Sequence, residues 1–460
     1  MSMGEDCLKL NVWTPGVNAD EHSLRPVLVW ILGERYHYGS SSFDLYNGEA
    51  LSVLSSSVVV TFNYRVSTLG FFYSDKVADV KGNQGLYDQR AAIKFIHENI
   101  RYFGGNPKAI TLLGERAGAW SVSLHILSPL TRDLFANAII MNGAALIKSV
   151  TTAEKITPRL LHSIRKVGCA AENDTSIGEE VVQCLEKLDP HQVDSIAHLM
   201  EGDTLDFHEL AVVDGEFLPS SPIEMLTTGN HKKNFNLLIS TVEDEASFFL
   251  QFSDLNAAFR KNNPEPITLE ESKNYLLSIL TSHIVKSSVP NETISRIYFN
   301  GLNGNFDPAD LFRRQVSIAY GDVLTTCPTL EFAKALYRSS PETIKVFQFY
   351  YTANLGNDKG VDVVNPIFGM PFRDRKMYHN REREISIEII NFLRAFVLTG
   401  NPGEDQSEWQ SYFLGDDGQL VAPYYEIGNS IKRHTSFKFN LKELECGRIW
   451  NKYIYDWNKN

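Results

Sequence analysis

The tightest constraint on this chain lies at residues 110–127. The apolar run Ile110–Leu113 passes with no intervening loop into Gly114-Glu115-Arg116-Ala117-Gly118, and Ala117–Leu127 then reads as a helix. This is a strand–turn–helix context with a sharp turn at its centre. The rest of the chain repeats the theme. Leu8–Trp13, Val27–Leu32, Val58–Tyr64, Asn137–Met141, Phe235–Ser240 and Ile344–Tyr351 read as strands. Val27–Leu32 and Val58–Tyr64 are almost continuously apolar, as strands buried on both faces must be. Between them lie helical patterns. Gly85–Phe103 places Leu86, Ile93, Ile96 and Ile100 on one face and stops at Gly104-Gly105-Asn106-Pro107. Ile385–Thr399 turns Ile385, Ile389, Phe392, Leu393 and Phe396 inward and stops at Gly400-Asn401-Pro402. Strands alternating with helices predict an α/β fold, a mostly parallel central sheet covered by helices. The more polar, helical stretch 148–217 is expected to form a cap-like region over the sheet.

Length and charge narrow the classes. With 460 residues, 43% of them hydrophobic, the chain can bury a large core, in one large α/β domain or two ordinary ones. A net charge of -12 argues against nucleic-acid binding and suits a soluble protein, including one with cationic ligands. No apolar run approaches the ~18 residues of a membrane span. Residues 1–6 lack the basic and apolar regions of a signal peptide. The five cysteines, Cys7, Cys169, Cys184, Cys327 and Cys446, would leave one unpaired in an oxidising compartment or be reduced core residues in a reducing one. Asn173 and Asn291 open Asn-x-Thr triplets, glycosylation acceptors if the chain is secreted.

Residues 114–118 would be a G-x-S-x-G nucleophile elbow but for their centre. That motif sets a serine on a sharp strand-to-helix turn, its hydroxyl exposed at the top of an α/β sheet. Here the centre is Arg116. A guanidinium is always protonated and only donates hydrogen bonds, so it cannot attack a carbonyl. Ser121 and Ser123 follow within the helix, without the exposed apex.

Six further stretches carry a resemblance: Glu5–Trp13, Asn63-Tyr64-Arg65-Val66, Gly82–Arg90, Phe103–Pro107, Asp214-Gly215-Glu216-Phe217 and Thr399-Gly400-Asn401-Pro402. In this order the chain resembles the type-B carboxylesterase/cholinesterase family, and the cholinesterase branch in particular through Asp244–Leu250. The resemblance implies an α/β-hydrolase fold in a single domain over 1–460, with N-terminal strands of the sheet missing from this chain and with Cys7 the partner of a cysteine in that missing part. It implies disulfides Cys169–Cys184 and Cys327–Cys446, no cofactor and no metal, and a secreted or extracellular setting.

The resemblance also marks where the chemistry departs. Arg116 stands at the nucleophile position. The family's oxyanion loop reads Leu32-Gly33-Glu34-Arg35 here, so Glu34 and Arg35 replace two glycines, beside Ala117 as the third oxyanion position. Counting back from Phe368-Gly369-Met370-Pro371 to the histidine position reaches Gly360, and the nearest histidine, His379, lies beyond the motif in a charged segment. Glu245 alone survives, as the triad acid. Loss of the serine or histidine alone costs on the order of 10⁶ in turnover in a serine hydrolase. One oxyanion donor is worth about 10²–10³. Arg116 needs a carboxylate partner if buried, and Glu245, Glu34 and Glu115 are the candidates. Glu115, Phe248 and Phe249 match a cation and acyl pocket, a remnant that could still take a small cationic ligand. The expectation is a catalytically inactive, cholinesterase-like extracellular binding or adhesion module with an unidentified protein partner. A carboxylic ester hydrolase of weak or non-standard activity is the alternative.

Overall fold

The computed structural model describes residues 4, 6–17, 23–146, 149–200, 211–247, 250, 257–260, 264–283, 290–353, 363–403, 409–428 and 437–451. Phe248, Phe249 and Gly360 lie outside the described residues, as do 148 and 201–210 of the expected cap.

Nine strands form one sheet: β1 (Leu10–Trp13), β2 (Arg25–Ile31), β3 (Val58–Phe62), β4 (Gly105–Glu115), β5 (Asn137–Met141), β6 (Phe235–Val242), β7 (Ile344–Tyr351), β8 (Pro423–Ile427) and β9 (Phe437–Phe439). Their spatial order is β1-β3-β2-β4-β5-β6-β7-β8-β9. The outermost pairs, β1 with β3 and β8 with β9, are antiparallel, and every pairing between them is parallel. This is the mostly parallel, helix-covered sheet that the strand–helix alternation predicts. The core follows from it: Val27–Ile31, Val58–Val60 and Ala138–Met141 are almost fully buried, because helices cover both faces.

Several boundaries differ from the sequence reading, including β2 (Arg25–Ile31 for Val27–Leu32), β3 (Val58–Phe62 for Val58–Tyr64) and β6 (Phe235–Val242 for Phe235–Ser240). β1 starts at Leu10 rather than Leu8, because the Lys9 N–H turns back to the Cys7 carbonyl at 2.9 Å. β4 starts at Gly105 rather than Ile110, through an irregular register in which Arg25 pairs with Gly105 and Val27 with Ile110. The helix expected over 85–103 is α1 (Gln84–Asn99) followed by a 3-10 turn, Ile100–Phe103. The late helix begins at Asn380 rather than Ile385. α2 (Ala117–Leu127) matches its expected span.

Beyond the sheet, α3 (Ala153–Lys166), α4 (Glu179–Leu185) and α5 (Pro190–Met200) build a small core of their own around Ile156, Leu160, Ile164, Ile177 and Ile196. The Cys169–Cys184 disulfide closes that core. A second disulfide, Cys327–Cys446, joins the start of α6 (Cys327–Ser339) to a π-helical turn at Glu443–Trp450. Cys7 has no disulfide partner. Asn173 and Asn291 are both exposed. Among the described residues no helix is long and apolar enough to cross a membrane.

The turn between β4 and α2 depends on absent side chains. A Cβ on Gly118 would lie 2.1 Å from the Ile31 carbonyl oxygen, and one on Gly114 would lie 2.3 Å from backbone atoms of Gly118. Neither contact can relax without moving a central strand. Gly118→Ala is therefore expected to lower stability by about 3 kcal/mol or more, read from the urea midpoint at unchanged slope.

Candidate functional site

The C-terminal ends of β4 and β6 bring Arg116 and Glu245 together, at the edge of a parallel sheet where open α/β folds place their ligands. Arg116 is the apex of the turn, with φ 52° and ψ -118°. That region is sparsely populated for a side-chain-bearing residue and costs about 1–3 kcal/mol. Flanking hydrogen bonds hold it there. The Arg116 N–H donates to the Met141 carbonyl at 3.0 Å, and its own carbonyl accepts from Trp120 N–H at 2.9 Å.

The guanidinium is partnered. Arg116 Nε lies 2.6 Å from Glu245 Oε1 and 3.3 Å from Glu115 Oε1. The Glu245 side chain is 1% exposed, that of Glu115 10% and that of Arg116 25%. Of the three candidate partners, Glu245 makes the close contact and Glu115 the longer one. Glu34 engages Tyr46 instead: the Tyr46 hydroxyl donates to Glu34 Oε1 at 3.0 Å. Burial raises the Tyr46 pKa above its ordinary value first. The Glu34 charge raises it further, Glu115 adds to this, and Arg116 opposes it. Tyr46 therefore stays a neutral donor facing several charges.

The loop carrying Glu34 adopts a left-handed backbone at two residues that are not glycine. Arg35 and Tyr36 have φ of 54° and 64°. Gly33 is packed against the Glu115 carbonyl, which a Cβ there would approach to 1.8 Å. Tyr36 pins the loop. Its buried hydroxyl is 2.9 Å from Ser121 Oγ, which also accepts from Gln89 Nε2 at 3.0 Å. Gln89 Oε1 must then accept, so His125 Nε2–H donates to it at 3.0 Å. Burial lowers the His125 pKa to about 3. Ser121 is thereby held inside a buried network, and Ser123 is buried and donates to the Ala119 carbonyl at 2.8 Å. Ala117, the other expected oxyanion position, is the first residue of α2 and fully buried.

His379 is exposed and lies just before a helix. It is the N-cap of α7 (Asn380–Thr399), in a reciprocal capping arrangement with Glu382, whose carboxylate accepts the His379 N–H at 2.7 Å. Sequence reasoning missed Tyr36 and Tyr46, because neither belongs to a spacing pattern that marks a site. It also missed the Gln89–His125 pair, whose members lie 36 residues apart on two different helices and leave no local signal.

The carboxylesterase family model matches residues 1–447. The chain belongs to the carboxylesterase family. Among similar known carboxylesterase-family proteins, the acetylcholinesterase of Danio rerio is 32% identical over 438 residues, covering 87% of this chain and 67% of that protein. The acetylcholinesterase of Bungarus fasciatus is 31% identical over 424 residues, covering 89% and 67%. This carboxylesterase-family chain thus keeps the family's sheet and a strand–turn–helix apex, with an arginine at the apex.

Two outcomes are expected. Arg116→Ser keeps the strained backbone but removes the ion pair of Glu245, a carboxylate 1% exposed. Stability should fall by about 2–3 kcal/mol in chemical denaturation, less than for a fully buried pair because Arg116 is partly exposed. His125 gives a pH dependence. The unfolded chain takes up a proton near pH 6.5, whereas the folded chain refuses it until about pH 3. Its contribution to stability is therefore intact above about pH 6.5 and is lost as pH falls towards 3. His125→Asn should flatten that slope in melting temperature against pH.

Proposed function

We propose that this chain is a catalytically inactive, cholinesterase-like protein that acts extracellularly by binding rather than by turnover. The observation that carries the reading is the Arg116–Glu245 ion pair at the apex of the β4–α2 turn. An attacking group there would need a lone pair, and the carboxylate that orients a histidine in a triad is instead neutralising a guanidinium. Gly360, at the family's histidine position, and Glu34 and Arg35, at its oxyanion glycines, support the same conclusion from sequence. Two disulfides fit the oxidising surroundings of secreted proteins.

Three carboxylates, from Glu34, Glu115 and Glu245, stand with Arg116 around the site. The charge balance favours a small cationic ligand or a basic segment of an extracellular protein over an anionic one. Ester hydrolysis is the second reading, favoured by the similarity to two acetylcholinesterases.

An assay with acetylthiocholine and naphthyl acetate separates them. The binding reading expects turnover no higher than that of heat-denatured protein. It also expects no recovery in Arg116→Ser, since one restored hydroxyl lacks both a base and oxyanion donors. Hydrolysis by the unaltered protein, unaffected by changes at any serine outside residues 110–127, would overturn it. A binding screen against extracellular ectodomains then identifies the partner.

A further inference from the structure

The opposite end of the sheet carries a second arrangement of reactive groups. His231 lies in the turn leading into β6, and Ser339 is the last residue of α6, just before β7. Both therefore sit at the N-terminal ends of strands whose C-terminal ends face Arg116. The eight residues of β6 separate the two regions by roughly 26 Å.

His231 Nε2 is 2.6 Å from Ser339 Oγ. His231 Nδ1 is 2.8 Å from the Lys232 carbonyl oxygen, which only accepts, so Nδ1 carries the proton. In the neutral ring this leaves the single Nε2 lone pair facing both the Ser339 hydroxyl at 2.6 Å and the Lys233 ammonium, which donates towards it at 3.1 Å. The ring is neutral at physiological pH, because burial first, and then the Lys233 and Arg132 charges, bring its pKa to about 4 against a raising contribution from the Lys232 carbonyl. The Ser339 hydroxyl has two acceptors within reach, the Leu336 carbonyl at 2.7 Å and His231 Nε2 at 2.6 Å, and the reactive arrangement is the rotamer that donates to Nε2. Ser339 also opens outward. It lines a cavity of about 410 Å³ together with Leu226, Thr227, Ala335, Arg338 and Asn451. Glu331, also at the cavity, is neutralised by Lys334 at 3.1 Å. Arg338 is exposed and has no ion-pair partner among the described residues.

We propose that Ser339 and His231 form a second nucleophilic site, independent of the Arg116 site, that reacts with small activated esters bearing an anionic group. Ser339 Oγ attacks the acyl carbon, and the hydroxyl proton passes to His231 Nε2. The ester C–O bond breaks, and the alcohol leaves with that proton. Water then hydrolyses the acyl-serine by the reverse proton path, releasing the acid. The Lys232 carbonyl holds the ring in the reactive tautomer, and Arg338 draws the anionic group to the cavity. Lys233 restrains the site. Its ammonium is 3.1 Å from the same Nε2 and opposes the imidazolium that the step creates.

The test uses the intact protein and a fluorophosphonate probe, with the adduct located by peptide mass spectrometry. In labelling, the Oγ–P bond forms, the P–F bond breaks, and fluoride and the serine proton leave. An adduct on Ser339 is expected, lost in Ser339→Ala and strongly reduced in His231→Gln. Lys233→Gln should label severalfold faster, because removing a like charge makes the imidazole a stronger base; a purely structural cap on α6 would show no such acceleration. Absence of a Ser339 adduct, or equal labelling in His231→Gln, overturns the proposal. Turnover of a carboxylate-bearing aryl acetate that disappears in Ser339→Ala supports it and leaves the binding reading of Arg116 standing. Turnover that persists in Ser339→Ala without a Ser339 adduct overturns both.

Discussion

The close approach of α2 to β2 is the constraint on which the rest depends. Gly118 lies against the Ile31 carbonyl, and Gly114 against the first turn of the helix. These contacts fix the helix over the centre of the sheet and force the residue between them into a positive φ. Everything at the C-terminal edge inherits its position from that packing. Glu115 ends β4, Arg116 takes the apex, and β5 holds the apex through the Met141 carbonyl. Glu245 arrives from β6, two strands away, because β4, β5 and β6 are adjacent and parallel.

Electrostatics then fill a geometry that packing has already determined. The turn would accept any residue able to bear the strain, and an arginine there is tolerable only because a carboxylate is within 2.6 Å. The Glu34–Tyr46 bond and the Tyr36–Ser121 bond hold the neighbouring loop in a conformation that its side chains would not otherwise choose. In the same way, the His231–Ser339 pair follows from two chain segments entering adjacent parallel strands from the same side.

Much of this was legible from the sequence where the signal is periodic or local. The buried strands announced themselves through continuous apolar runs, and α2 through the glycine-flanked turn at its start. The ends of elements were less legible. The start of α7 depends on a histidine cap, and the start of β4 on a pairing irregularity with β2, neither of which leaves a pattern in one segment. β8 and β9 are short, and no sequence pattern marked them as strands. At the site, Arg116 and its carboxylate partners could be named because charge in a small, neutral motif is conspicuous. The choice of Glu245 over Glu34 could not, since it depends on how separate strand ends and loops meet in space. The pairing of His231 with Ser339 spans 108 residues and had no motif to reveal it.

The Cys327–Cys446 bond has a topological effect beyond its local one. It closes a covalent ring that contains β7, α7, β8 and β9. β9 is an edge strand, and an edge is where a sheet ordinarily begins to come apart. With the ring closed, the edge cannot peel away as a free end. Loss of β9 leaves it tethered beside the π-helical turn at 443–450, and α6 with it. Opening at that side of the molecule is therefore confined to a closed loop with limited reach, and the neighbouring core is exposed only when the whole ring gives way together.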